Sequence, residues 1–61
     1  MSAYDEVLTA LVAVEWLAEN YERRAKNDHE NSLFWSCAAE IAREFMDHLE
    51  RIADEVENAA R

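Results

Sequence analysis

The chain has 61 residues, 33% of them charged, with a formal net charge of −8, neither glycine nor proline, and a single cysteine. That inventory excludes a disulfide framework, removes the residues on which sharp turns and sheet bulges rely, and opposes binding to nucleic-acid phosphate or anionic membrane. So short a chain buries only about 60% of its unfolded surface, so association is the expected source of extra stability.

The amino terminus, Met1-Ser2-Ala3-Tyr4-Asp5-Glu6, shows no basic segment ahead of an apolar stretch. The longest apolar region, Val7 to Ala18, is interrupted by Thr9 and Glu15 and is too short to span a bilayer. A cytoplasmic protein without membrane contact is expected. Ser2 followed by Asp5 fits a capping box, and Asp5 and Glu6 suit the positive end of a helix dipole. From Tyr4 the apolar positions Val7, Leu11, Val14, Ala18, Tyr21 and Ala25 alternate steps of three and four, a heptad seam. Arg23, Arg24 and Lys26 favour a carboxyl-terminal turn, so helix 1 is expected over about 3–26.

The segment from Asn27 to Ser32 gathers residues whose side chains compete with the helical backbone, and predicts a loop over about 27–32. Helix 2, over about 32–59, offers a seam of Ala38, Ala42, Phe45, Leu49, Ile52, Val56 and Ala59. An antiparallel hairpin follows, because a short connection brings the two seams together. A rival is one continuous helix. Carrying the first register through the loop gives Asp28, Ser32, Trp35, Ala39, Ala42, Met46, Leu49, Ala53 and Val56, still mostly apolar.

Helix 1 is apolar beyond its seam, with Leu8, Val12 and Trp16 forming a second stripe. A lone hairpin has one inner face, so this stripe, with Trp35, is expected at an interface. Either a homodimeric four-helix bundle covers it or a different protein does. On helix 2, Glu40, Glu44, Asp47, Glu50, Asp54 and Glu57 form an acidic row with Arg43 and Arg51 among them. It reads as a solubilising face or as a surface that docks on a basic, nucleic-acid-binding protein, without direct nucleic-acid contact.

Chemistry-bearing groups are sparse. Glu44 and His48 stand four apart, whereas di-iron bundles use Glu-x-x-His, so an edge pair is expected rather than a metal site. Cys37 lies among Phe34, Ala38 and Ile41 with no adjacent base and reads as a small buried hydrophobe. His29 is expected in the loop, in water, and Tyr4 and Tyr21 are expected in the packing of the seam. The words Glu19-Asn20-Tyr21-Glu22 and Glu44-Phe45-Met46-Asp47 resemble the Glu-x-x-Glu and Glu-x-x-Asp pattern of the MazG-like nucleotide pyrophosphohydrolases. In that all-α family the acidic groups hold magnesium for diphosphate cleavage, and the resemblance implies the same here. The helix 2 seam, however, turns Glu44 and Asp47 away from Glu19 and Glu22. The main expectation is a non-enzymatic regulatory or adaptor protein, cofactor-free, acting through protein–protein contact.

Overall fold

The computed structural model describes residues 2–59. Helix α1 runs Ala3–Asn27, a single 3-10 turn covers His29–Asn31, and helix α2 runs Ser32–Ala59. The two α-helices are packed against each other. Contacts pair Ala25 with Ser32, Tyr21 with Trp35 and Glu22 with Arg43, so the helices run in opposite directions.

Helix α1 starts where Ser2 caps it. The Asp5 backbone N–H donates to Ser2 Oγ at 3.2 Å, and the Ser2 hydroxyl donates to Asp5 Oδ2 at 3.0 Å. One free N–H of the first turn is thereby satisfied, and Asp5 is held beside the positive end of the dipole.

The turn is organised by Asp28. Its backbone leaves the helical region at φ −115°, ψ 84°, with its N–H still donating to the Arg24 carbonyl. Its carboxylate accepts from the Asn31 backbone N–H at 3.3 Å, from Asn31 Nδ2 at 3.0 Å and from Trp35 Nε1 at 3.2 Å. Ser32 closes the corner by donating its hydroxyl to the Ala25 carbonyl at 2.9 Å, which satisfies one of the last free acceptors of α1. No positive φ occurs among the described residues, so a chain without glycine makes this reversal at no strain in the left-handed region. The continuous-helix alternative fails here, because Asp28 as a capping side chain outcompetes helix propagation.

The face of α2 that meets α1 matches the expected seam only in part: Ala42 and Leu49 are buried, and Ala38 and Val56 are half-buried. Phe45 and Ile52, expected on the seam, are 51% and 43% exposed. The face turned inward is Trp35, Ala39, Ala42, Met46, Leu49, Ala53 and Val56, each buried or half-buried. This is the register of α1 carried across the turn. The physical reason lies in the corner contacts. Trp35 stacks on Tyr21 of α1 with ring centroids 5.7 Å apart, lies under the Arg24 guanidinium at 4.8 Å and bonds to Asp28, which fixes the rotation of α2 about its axis. Residues in step with Trp35 must then face inward.

The resulting core is thin. Among the described residues only Ala18, Ala39, Ala42, Leu49 and Ala53 are buried, four of them alanine. Small side chains at the contact let the backbones approach closely, but each hides little apolar area. The molecule measures 49 × 17 × 10 Å, one helix thick in its narrowest direction.

Two outcomes follow. Ala18, fully buried, has no room for added carbons, so Ala18→Leu is expected to destabilise by about 1–3 kcal/mol, read as a thermal midpoint lower by roughly 5–15 °C in circular dichroism. The second concerns pH. The Asn31 and Trp35 hydrogen bonds hold the Asp28 carboxyl below its usual pKa. Folding therefore favours the ionised form, so this contribution is complete above about pH 4 and is lost as pH falls through the lower folded value. The stability gap between wild type and Asp28→Asn is expected to shrink below that pH; comparing the two cancels the general relief of acid–acid repulsion.

Candidate functional site

The hairpin has two unlike sides. On one, Val14, Leu17 and Tyr21 of α1 meet Ala38, Ile41 and Phe45 of α2 around an apolar groove of about 320 Å3. Along α2 the row continues through Phe34 and Ile52. Positions 34, 38, 41, 45 and 52 keep four-three steps, with His48 filling the missing one. This is a second heptad seam one residue out of phase with the buried one. It faces solvent: Ile41 is 66% exposed and Phe34 63%, with Leu17 also open.

The opposite side is polar. Glu22, Lys26, Glu40 and Arg43 line a second groove there, with Ser32 and Ser36 at its turn end. Arg43 reaches across the helices to Glu22 in a two-pronged contact, Nη2 to Oε1 at 2.7 Å and Nε to Oε2 at 3.2 Å. The Arg43 bond and charge hold the Glu22 carboxyl below its usual range, with Lys26 adding to the effect. The same bond raises the pKa of Arg43, helped by the charge of Glu22 and the fields of Glu19 and Glu15. Both side chains are nearly half exposed, so the pair aligns the helices more than it stabilises them.

The residues singled out from the sequence fall in three places. Leu8, Val12 and Trp16 form an exposed row on α1, with Val12 66% and Trp16 63% open to solvent. Trp35 does not join them. It is half-buried at the turn, stacked on Tyr21 and edge-on to Phe34 at 4.9 Å, so its ring is spent inside the hairpin. Glu40, Glu44, Asp47, Glu50, Asp54 and Glu57 are all exposed along α2.

Cys37 is exposed and not buried. It shares its side of α2 with Phe34 and Ile41, and the rotation set by Trp35 turns that side outward. Glu44 and His48 are exposed, as is His29, while Tyr4 and Tyr21 are half-buried. Glu22 of the first acidic word is engaged by Arg43, and Glu44 and Asp47 of the second lie on the solvent face of α2. Among the described residues, no three His, Cys, Asp or Glu side chains come together as a metal site would need. Nor is any described helix long and apolar enough to cross a membrane.

Comparison with known proteins returned no matching family model, no matching curated protein and no matching solved structure.

The apolar row on α2 is the feature that sequence reasoning missed as a surface. Its signal was present, since α2 carries two overlapping heptads, 34-38-41-45-52 and 35-39-42-46-49-53-56. A helix with two adjacent seams carries apolar area on two sides, and α1 covers one of them.

Proposed function

We propose that this is a small acidic regulatory or adaptor protein without catalytic activity, acting through protein–protein contact as a homodimeric four-helix bundle. The observation that carries this reading is the outward apolar face of Leu17, Phe34, Ile41, Phe45 and Ile52. Each phenylalanine side chain offers roughly 200 Å2 and the aliphatic ones somewhat less, so at the observed exposures the face leaves about 500 Å2 of apolar surface open. Pairing two copies would remove about 1,000 Å2 in all, at the threshold for a specific association. The total surface supports the same reading. A compact 7.1 kDa monomer should expose about 4,100 Å2, whereas this hairpin exposes 4732 Å2.

A second copy suits the face because both partners then present the same heptad ridges, the isologous arrangement of two-fold dimers. With that side covered, the acidic row from Glu40 to Asp54 remains outward, the electrostatic complement of a basic protein such as one that binds nucleic acid. Regulation of that partner by occupying its basic surface is the task this arrangement fits.

Light scattering over a concentration series tests the assembly. The expected result is a dimer mass for the native chain and a dissociation constant raised about 100-fold or more in Ile41→Asp/Phe45→Asp, with the milder Leu17→Ala giving an intermediate shift and helicity followed alongside. Because each copy carries a net charge of −8, added salt should tighten the dimer by screening. A native chain that stays monomeric, or a double variant that stays dimeric, overturns the reading.

A further inference from the structure

We infer that Leu8, Val12 and Trp16 form a docking site for one amphipathic helix with basic flanks, supplied by a different protein. The inference rests on the protein–protein contact reading above and names the chemistry of the partner.

Successive members of the row stand four residues apart, so their side chains follow one another along one flank of α1 over about 12 Å. Leu17, by contrast, opens onto the apolar groove used in the proposed dimer, and Glu22 onto the polar one. Glu15 and Leu8 precede Glu22 by seven and fourteen residues, which puts them on its side of α1. Trp16, two residues from Ala18 of the seam, points away from α2. A second copy bound through Ile41 and Phe45 therefore leaves the row open.

Charge decides what kind of helix could cover it. Asp5 precedes Leu8 by three residues, Glu15 follows Val12 by three and Glu19 follows Trp16 by three, so acids border the row along its length. Across the groove, Glu50 stands seven residues beyond Arg43 and shares its side of α2, with Asp54 one turn further. Three cations stand nearby: Arg43 is paired with Glu22, Lys26 lines the same groove beside Glu22, and Arg23, beyond the Trp16 end, donates to Asn20 Oδ1 at 3.3 Å. An acidic partner, a second copy of this chain included, would meet repulsion here. A helix whose apolar stripe is flanked by Lys or Arg satisfies both the apolar row and its border, and Trp16 supplies the large, rigid anchor that such contacts favour.

The test titrates a labelled synthetic peptide of leucine and lysine, arranged as an amphipathic helix, with the full chain and follows fluorescence anisotropy. A peptide of identical composition in scrambled order serves as control, and dimer mass is recorded throughout. The expected result is binding about tenfold tighter than the scrambled peptide, weakened about tenfold in Val12→Ser/Trp16→Ser and by a smaller factor in Glu15→Gln/Glu19→Gln, which also flattens the salt dependence. Ile41→Asp/Phe45→Asp should still bind the peptide, which separates this site from the dimer contact. Equal binding of the two peptides, or undiminished binding by a helical Val12→Ser/Trp16→Ser chain, overturns the inference. So does loss of the dimer in that variant, which would show that a second copy covers the row.

Discussion

Everything in this structure follows from the close contact of two helices through alanine. Among the described residues, Ala18 on α1 and Ala39, Ala42 and Ala53 on α2 are the buried positions, joined by Leu49 alone of the larger ones. Small side chains bring the backbones together, and that nearness lets Arg43 span the helices to reach Glu22. The same smallness limits what the contact can hide, since burial stabilises roughly in proportion to apolar area. A layer one helix thick has no interior for Trp16, Phe34, Ile41, Phe45 and Ile52, and these residues are left on its outside.

The corner between the helices converts that constraint into a particular surface. Asp28 gathers three donors, one of them the Trp35 indole N–H, and Trp35 stacks on Tyr21. These contacts set the rotation of α2, and the rotation decides which of its two heptad rows is inside. Had α2 been turned by one residue, Phe45 and Ile52 would face α1 with Ala38, and Ala39, Ala42 and Ala53 would leave the interface. The choice made gives a tight, thin hairpin with a free apolar face in place of a looser one that consumes its own large side chains.

The two sides of the hairpin also differ in electrostatic character. One is a groove of aliphatic and aromatic carbons; the other carries Glu22, Glu40 and Arg43 with acids before and after them on both helices. Apolar contact between like-charged copies strengthens as salt screens their repulsion, whereas docking of a basic segment weakens under the same change. On the proposed reading, the two surfaces would respond to ionic strength in opposite directions.

Much of this was legible in the chain. The absence of glycine and proline, the heptad spacing from Tyr4 to Ala25 and the capping residues around Asp28 establish two helices and the place where they part, because helix propensity, periodicity and capping act over a few residues. The exposed character of Leu8, Val12 and Trp16 also follows from counting, since they stand off the seam. The facing of α2 does not, because rows 34-38-41-45-52 and 35-39-42-46-49-53-56 both satisfy the heptad rule. A one-residue rotation separates them, and no local preference distinguishes the two. Only the contacts of Trp35 with Tyr21, Arg24 and Asp28, made between segments brought together by the turn, settle that phase. With it they decide that Cys37, Phe34 and Ile41 face water while Ala39 and Ala42 are buried.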